Sequence, residues 1–192
     1  MRTLDRVHDR AMLDALEDLG GKPFAGEVWR VTRKGRAATV GSTANGRWGP
    51  QGEFEVLYTA VERNGALAEI GYRRSLEPIW PSRIDDEVHK LRLNLVNTLQ
   101  FENVDELAHL GVDANRYESF DYSATQAIAA AAHFLEYDGM VVPSARFPCQ
   151  NVVVFLDQLK NEDQLDALNT EDVDWEEWRQ HDSGYPRGFR AG

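Results

Sequence analysis

The most constraining feature of this sequence is a change from loop to strand to helix pattern between residues 45 and 69. The apolar run Val56–Ala60 is typical of a strand, and the Ala/Leu-rich run over residues 66–69 is typical of a helix. These two elements can pack together beside the loop that precedes them. Arg47 in that loop, Tyr58 on the strand and Glu69 on the helix would then place a cation, a phenol and a carboxylate around one groove.

The remaining elements follow from hydrophobic periodicity and from turn-forming residues. In chain order they are a helix over residues 4–19, a strand over 27–32, a strand over 87–96, a short helix over 103–110, an Ala-rich helix over 124–137, strands over 140–142 and 152–156, and a surface helix in the acidic tail from residue 161. The polar loop over residues 33–55 is unusually long for a compact domain, and such loops are more often functional than idle.

The length and composition of the chain favour one domain. With 192 residues, of which 42% are hydrophobic, the chain is long enough for one well-buried core and short for two. Cys149 is the only cysteine, so no disulfide can form within the chain and a reducing compartment is expected. The N-terminus lacks the apolar core of a signal peptide, and no run of about 18 apolar residues is present. We therefore expect a cytoplasmic protein that does not enter a membrane.

The charge balance argues against two classes of partner. The sequence has 32 Asp and Glu against 21 Lys and Arg, which gives a net charge of -11. A chain this acidic is repelled by a nucleic-acid backbone and by an anionic membrane surface. We expect no direct contact with either, and a basic protein is the more plausible partner.

Most common catalytic signatures are absent from the sequence. There is no G-x-S-x-G elbow, Walker phosphate loop, G-x-G-x-x-G fingerprint or H-E-x-x-H zinc pair. The five histidines are widely spread, so each is expected to be an ordinary surface or core residue and no metal site is predicted. Cys149 lies in a loop where a nucleophile is conceivable, but a lone cysteine is more often a small packing residue.

Two arginines are candidates for binding an anion. Arg30 follows Trp29 on a predicted strand, and Arg47 precedes Trp48 in the long loop. Their guanidinium groups could converge on one pyrophosphate, for which the forked geometry of arginine is well suited. The alternative for Arg47 is a surface contact stacked on Trp48.

The other candidates also have ordinary structural interpretations. Tyr58 taken alone is more simply a core aromatic residue. Glu69 interrupts an apolar stripe, where a carboxylate must be paired or used, and an ion pair with Arg73 four residues later is the structural alternative. Ser144 follows an apolar strand directly, a common place for a site residue, yet a turn serine explains it equally well.

The ordered set of short motifs resembles the RES domain. The motifs are Val28-Trp29-Arg30, Gly46-Arg47-Trp48, Val56-Leu57-Tyr58, Ala66-Leu67-Ala68-Glu69, Gln126-Ala127-Ile128-Ala129, Tyr137-Asp138-Gly139-Met140-Val141-Val142-Pro143-Ser144-Ala145-Arg146 and Asn151-Val152-Val153-Val154-Phe155. That family is named for its Arg, Glu and Ser, and its members are typically toxins of bacterial toxin-antitoxin pairs. One departure is Gly49, where the family usually has Asn after the Arg-Trp pair.

The resemblance implies a fold and a division of the chain. The fold is expected to be a single α+β domain similar to ADP-ribosyltransferases, with central β-sheets flanked by helices. Residues 26–157 would form the RES domain, residues 1–25 an N-terminal helical extension and residues 158–192 an acidic C-terminal extension. The implied partners are a cognate Xre-type helix-turn-helix antitoxin and, in a homodimer, a second copy of the chain.

The resemblance also implies an activity on NAD. Family members break the bond between nicotinamide and ribose by hydrolysis or phosphorolysis, with NAD as the substrate and no further cofactor. Six residues of this chain match the family's site positions. The catalytic candidates are Glu69, Arg47 and Tyr58, and the substrate-binding candidates are Arg30, Arg47, Tyr58, Ser144 and Asn151.

Two alternative functions remain open from the sequence. One is a protein ADP-ribosyltransferase, which would transfer ADP-ribose to an acceptor protein. The other is a catalytically silent binding module that uses the same pocket, or Trp175 and Trp178 in the acidic tail, only for association.

Overall fold

A computed structural model describes residues 7–78 and 85–180. Within these ranges a six-stranded sheet is combined with five α-helices in one α+β domain. The strands are β1 (Lys22–Arg33), β2 (Val56–Ala60), β3 (Asp86–Gln100), β4 (Gly139–Pro143), β5 (Gln150–Phe155) and β6 (Leu165–Asp172). The helices are α1 (Arg10–Leu19), α2 (Arg63–Ser75), α3 (Val104–Ala108), α4 (Ser123–Phe134) and α5 (Trp175–Gln180).

The strand pairings close the sheet, because the first strand in the order also pairs with the fifth. The strand order is β1-β2-β5-β4-β3-β6, and β1 also pairs with β3. Most pairs are antiparallel, whereas β3 and β4 run parallel over a short stretch. Because β3 pairs with β1 along most of its length, with β6 over its first half and with β4 only at its end, this long strand links both parts of the sheet.

Strand β3 confirms the alternation seen in the sequence. Leu91, Leu93 and Leu95 are fully buried, whereas Arg92 and Asn94 between them are exposed. Successive side chains of a strand point to opposite faces, so this pattern buries one face of the strand. The antiparallel neighbour β1 contributes to the same core through Val28, which lies opposite Leu91.

Helix α4 covers the other face of the sheet with small side chains. Ala129, Ala130, Ala131 and Ala132 are buried next to Ile128. Alanine has high helix propensity and lets the helix approach the strands closely. Helix α1 packs on α4, and its fully buried Leu16 joins the same core. The sequence predicts this first helix over residues 4–19, of which residues 4–6 lie outside the described residues. In the structure the helix begins at Arg10, and the Asp9 side chain caps its N-terminus.

The acidic tail differs from its prediction. A surface helix was expected from residue 161, but residues 165–172 form β6 on the edge of β3 before the short helix α5 begins. Nearly every side chain of β6 is exposed, so the strand leaves no hydrophobic alternation to detect. Strand β6 is held in place by its backbone hydrogen bonds to β3. The division of the chain after residues 25 and 157 stays a prediction.

Helix α5 is hydrogen bonded to a buried ion pair that joins α2 to β3. Arg74 on α2 pairs with Asp86 at the start of β3, and both side chains are almost completely buried. The Trp175 indole N–H donates to the same carboxylate oxygen of Asp86 over 2.9 Å. Trp175 and Trp178 also pack against Gly71 of α2, where a Cβ would lie 2.4 Å from the Trp178 ring. The two tryptophans therefore have a structural role within the chain.

Candidate active site

A cavity of about 270 Å³ lies between the long loop over residues 34–55, strand β2, helix α2 and the segment over residues 117–122. This volume is close to the lower end of the range for small-molecule sites. Five of the six predicted site residues line the cavity: Arg30, Arg47, Tyr58, Glu69 and Asn151. The sixth, Ser144, lies directly behind Glu69 and is hydrogen bonded to it.

Glu69 is held by two uncharged donors. The Ser144 hydroxyl donates to Glu69 Oε1 over 2.8 Å, and the Asn151 side-chain N–H donates to the same oxygen over 2.9 Å. Among the described residues, no group donates a hydrogen bond to Oε2. The alternative of an ion pair with Arg73 is wrong, because no such pair forms between these two described side chains. The carboxylate is therefore oriented, and one of its oxygens is left for a ligand.

Ser144 combines the two roles considered for it. It follows β4, and its Oγ accepts hydrogen bonds from the backbone N–H groups of Arg146 and Phe147 over 3.1 and 3.3 Å. A hydroxyl has one hydrogen to donate, and here that hydrogen points to Glu69. The serine thus closes the turn after β4 and, through the same atom, fixes the carboxylate.

Asn151 reaches Glu69 from the centre of the sheet. It lies on β5 opposite Ala60 of β2 and Val142 of β4. Its side-chain oxygen is buried and has no hydrogen-bond partner among the described residues. The orientation of the amide is fixed by Glu69, because a flipped amide would bring two oxygen acceptors together.

Arg47 is hydrogen bonded to the segment over residues 117–122, which forms one wall of the cavity. Its guanidinium donates to the Tyr117 carbonyl and, over 3.2 Å, to the Ser119 carbonyl. It also lies 4.9 Å from the Tyr117 ring centroid and 5.0 Å from that of Tyr122. Burial lowers the pKa of Arg47, while the neighbouring Glu69 opposes that shift. The alternative of a surface stack on Trp48 is wrong, because the Trp48 side chain is buried in the core.

Arg30 has a second arginine as its charged neighbour. Its guanidinium donates to the Ala38 carbonyl over 2.7 Å from its place on β1. Burial, reinforced by the charge of Arg36, lowers the pKa of Arg30 to about 10. Arg36 also lines the cavity and is held by the Gly41 carbonyl. The two guanidinium groups place positive charge at the cavity wall, although Glu55 also lies near enough to Arg30 to oppose the lowering of its pKa. Convergence of Arg30 and Arg47 on one pyrophosphate stays a prediction.

Tyr58 presents a neutral hydroxyl to the cavity. Its oxygen accepts a hydrogen bond from the backbone N–H of Trp48 over 3.1 Å. Burial raises the pKa of Tyr58 to about 12, so the phenol keeps its proton at neutral pH. The residue is therefore more than a core aromatic: it supports the loop and offers a donor.

The same hydroxyl lies close to the two glycines on either side of the Arg-Trp pair. A Cβ at Gly46 would lie 2.5 Å from the Tyr58 hydroxyl oxygen, and one at Gly49 would lie 3.0 Å from it and 3.1 Å from a methyl carbon of Val56. Gly46 and Gly49 are joined by backbone hydrogen bonds in both directions. The side chain of Gln126 on α4 donates to the Gly46 carbonyl over 2.8 Å and so anchors this tight turn.

Sequence reasoning missed several residues of the cavity wall. Arg146 is buried, donates to the Glu118 carbonyl over 2.7 Å and lies 3.6 Å above the Tyr72 ring centroid. Phe120, which also lines the cavity, stacks on Tyr72 with 6.2 Å between the ring centroids. The position of Arg146, two residues after Ser144, was a usable signal. The aromatic residues carried none, because their proximity depends on how distant segments pack.

Two titratable residues outside the cavity, His89 and Cys149, have structural explanations. His89 is buried between the hydroxyls of Thr32 and Thr170, and burial lowers its pKa. Burial raises the pKa of the Cys149 thiol to about 12, which fits a packing residue. His181 lies outside the described residues. Within residues 7–78 and 85–180, no group of three or more His, Cys, Asp or Glu side chains could hold a metal ion.

No helix in the described ranges is both long and apolar enough to cross a membrane. The fold and the cavity together define a class of protein: an α+β domain in which an arginine-lined cavity contains one carboxylate held by neutral donors. The chain belongs to the RES domain family, whose model matches residues 27–180.

Two comparisons with individual proteins agree with this assignment. The chain is 33% identical over 117 residues to the probable NAD(+) phosphorylase Rv3189 of Mycobacterium tuberculosis (strain ATCC 25618 / H37Rv). That alignment covers 60% of this chain and 56% of the relative, so the chain spans little more than half of that protein's length. The crystal structure of the M. tuberculosis MbcT-MbcA toxin-antitoxin complex contains a chain with the same fold. The TM-score is 0.80 at 21% identity, over 90% of this chain and 97% of that chain.

Proposed function

We propose that this protein is the NAD-degrading toxin of a bacterial toxin-antitoxin pair and that it cleaves the bond between nicotinamide and ribose. The observation that carries the proposal is Glu69, a carboxylate with one oxygen fixed by Ser144 and Asn151 and the other available in an arginine-lined cavity. Membership of the RES domain family and the similarity to a relative named as an NAD(+) phosphorylase support the same activity.

The chemistry of the bond suits a lone carboxylate. Cleavage of the nicotinamide–ribose bond develops positive charge on the ribose ring, and a negative group placed beside it stabilises that charge. Glu69 can do this directly or can polarise a ribose hydroxyl through Oε2. Nicotinamide leaves as a neutral ring, so the step calls for no general acid and, in this proposal, for no cofactor besides the substrate NAD.

The arginines and Tyr58 would bind and orient the dinucleotide. Arg30 and Arg47 are proposed to anchor the pyrophosphate, which is far from the bond that breaks. Binding energy from such a remote group can be used to align the reacting centre. The neutral hydroxyl of Tyr58 is a donor for the nicotinamide or its ribose, with its oxygen already fixed by the Trp48 N–H.

The finer assignments belong to the same proposal. The fold would be of the ADP-ribosyltransferase type, and the reaction would be that of a glycohydrolase or of a phosphorylase acting as a glycosyltransferase. The partner that neutralises the toxin would be an Xre-type helix-turn-helix antitoxin, and the toxin could pair with a second copy of itself. Both would meet in the cytoplasm, where NAD is available.

Replacement of Glu69 by Gln tests the proposal. The amide keeps the shape of the side chain and can still accept from Ser144, but it removes the charge. We expect nicotinamide release from NAD by the purified chain to fall about 100-fold or more. Glu77→Gln makes the same chemical change at an exposed position after α2, outside the cavity wall, and should leave the rate unchanged.

Near-normal nicotinamide release by Glu69→Gln would remove Glu69 from the mechanism. If the wild-type chain released nicotinamide only when a protein mixture was added and labelled NAD then marked an acceptor protein, the activity would be ADP-ribosyl transfer. Absence of release under every condition would favour the silent binding module.

A further inference from the structure

Arg146 is a buried cation that forms no ion pair with any residue that the structure describes. Only 5% of the residue is exposed, and its guanidinium donates to the Glu118 carbonyl over 2.7 Å. The guanidinium carbon lies 3.6 Å from the ring centroid of Tyr72 and 5.7 Å from that of Phe120. Burial of a charge without a carboxylate partner is costly, so a functional reason for a cation at this place is expected.

The carbonyl that Arg146 contacts lies between the two carbonyls that hold Arg47. The Arg47 guanidinium donates to the carbonyls of Tyr117 and Ser119, and Arg146 donates to that of Glu118. Three successive peptide groups thus accept from two arginines of the cavity wall. Burial lowers the pKa of Arg47, and the charge of Arg146 adds to this effect, so the two cations are close enough to interact.

Arg146 reaches the segment over residues 117–122 from the turn after β4. Residues 117–122 form no helix or strand, so the carbonyls of residues 117–119 accept from arginine side chains instead of from a neighbouring strand or helical turn. The segment is also attached at its beginning, where the Tyr117 hydroxyl donates to the Pro143 carbonyl over 2.6 Å. Beyond its end, the Thr125 hydroxyl of α4 donates to the Arg47 carbonyl over 2.6 Å.

We propose that Arg146 is a positioning residue, which holds the segment over residues 117–122 in place and thereby sets the direction in which Arg47 meets the pyrophosphate of NAD. This inference rests on the proposed function. Without the Arg146 side chain, the carbonyl between the two that hold Arg47 loses its donor, and the segment can shift. Misplacement of a binding group by about 1 Å can cost a factor of up to about 100.

The side chain of Arg146 can be changed without loss of the contacts that orient Glu69. The backbone N–H of Arg146 donates to Ser144 Oγ, and the Ser144 hydroxyl donates to Glu69. The first of these contacts belongs to the main chain and does not depend on the side chain at position 146. Loss of the Arg146 side chain is therefore expected to weaken substrate binding more than it slows the chemical step.

Binding of ADP-ribose to Arg146→Met tests the proposal, because this ligand has the pyrophosphate of NAD without the bond to nicotinamide. Methionine has a similar length, and an apolar side chain in place of a buried charge is often neutral for stability. We expect the Kd from isothermal titration calorimetry to rise about 10-fold, the effect of losing one contact to a charged group. In nicotinamide release, the KM for NAD should rise by a similar factor, with kcat lowered less than about 3-fold.

A double-mutant cycle with Arg47→Met shows whether Arg146 acts through Arg47. If it does, Arg146→Met should change the Kd of the Arg47→Met protein less than about 2-fold, because the group that it positions is already absent. Arg146→Lys retains a donor and the charge, so its Kd should lie between those of the wild type and Arg146→Met. Arg116→Met removes an exposed arginine just before the same segment, outside the cavity wall, and should leave the Kd unchanged. Circular dichroism of each variant checks that the fold is intact.

The outcomes that would overturn the inference are distinct from failure of NAD cleavage. An unchanged Kd in Arg146→Met, or no binding of ADP-ribose by the wild type, would remove the positioning role. Equal effects with and without the Arg47 side chain would mean that Arg146 contacts the ligand itself. A fall in kcat with an unchanged KM would place its effect on Glu69. The expected Kd values without any nicotinamide release by the wild type would contradict NAD cleavage and support the positioning role.

Discussion

At the scale of single residues, the site depends on how one carboxylate is oriented. Two neutral donors converge on Oε1 of Glu69 and none of the described cations is paired with it. A salt bridge at this position would have neutralised the charge that the proposed reaction requires. Donors without charge instead fix the direction of the carboxylate and leave it able to stabilise a cationic ribose.

Ser144→Ala tests this orienting role. The change removes one donor to Glu69 and also the oxygen that accepts from the backbone after β4. We expect kcat for nicotinamide release to fall about 10-fold to 100-fold with a small change in the KM for NAD, because support of a catalytic group is lost rather than contact with substrate. Combined with Glu69→Gln, the change should cost much less, since groups that act as a unit are not additive. Full additivity of the two losses would contradict the coupling.

The sequence pointed to residues that the structure brings together around the cavity, but it did not predict their contacts. Glu69 was detectable because it interrupts an apolar stripe, and Ser144 because it follows a strand directly. The hydrogen bonds from Ser144 and Asn151 to Glu69 join residues at least 75 positions apart, so only the strand pairing could reveal them. The same holds for Arg47, whose partners Tyr117 and Ser119 lie on a distant segment.

At the scale of elements, helix α2 connects the cavity to the C-terminal part of the described chain. One face carries Glu69 and Arg73, which line the cavity, while Arg74 pairs with Asp86 on the other side. Trp175 donates to Asp86 and packs near Gly71, so α5 holds α2 against β3. The helix that carries the proposed catalytic residue Glu69 thus depends on an ion pair outside the site.

Asp86→Ala tests this support. It leaves the Arg74 guanidinium buried without its partner and removes the acceptor of Trp175. Breaking a buried pair in this way is expected to lower the free energy of unfolding by about 3–5 kcal/mol, measured by urea denaturation. Removal of one partner of the exposed pair Arg63–Glu171 by Arg63→Ala should have a far smaller effect. Similar losses for the two variants would contradict the role of the buried pair.

Secondary structure was predictable where one face of an element is buried. The alternation along β3 and the Ala-rich body of α4 identified both elements, because burial imposes a period of two on strands and selects small residues on this helix. Strand β6 has almost no buried side chain, so its sequence carried no such period. The closing of the sheet through the pairing of β1 with β3 was also beyond prediction, because it depends on backbone pairing between distant segments.

At the scale of the whole molecule, the acidic surface contrasts with the cavity. The chain carries a net charge of -11, yet five arginines line the cavity around a single carboxylate from Glu69. Such a distribution concentrates anions at one place on a protein that repels them elsewhere. It suits a substrate with a pyrophosphate, and the acidic exterior is compatible with a basic protein as the proposed antitoxin.

Intracellular NAD after induced expression is the measurement that tests the central claim most directly. Wild-type chain and Glu69→Gln are expressed at equal levels in bacteria without an antitoxin, and NAD and growth are followed together. We predict that NAD falls and growth stops with the wild-type chain, whereas Glu69→Gln leaves both unchanged. Growth arrest with undiminished NAD, or equal loss of NAD with both chains, would contradict the account.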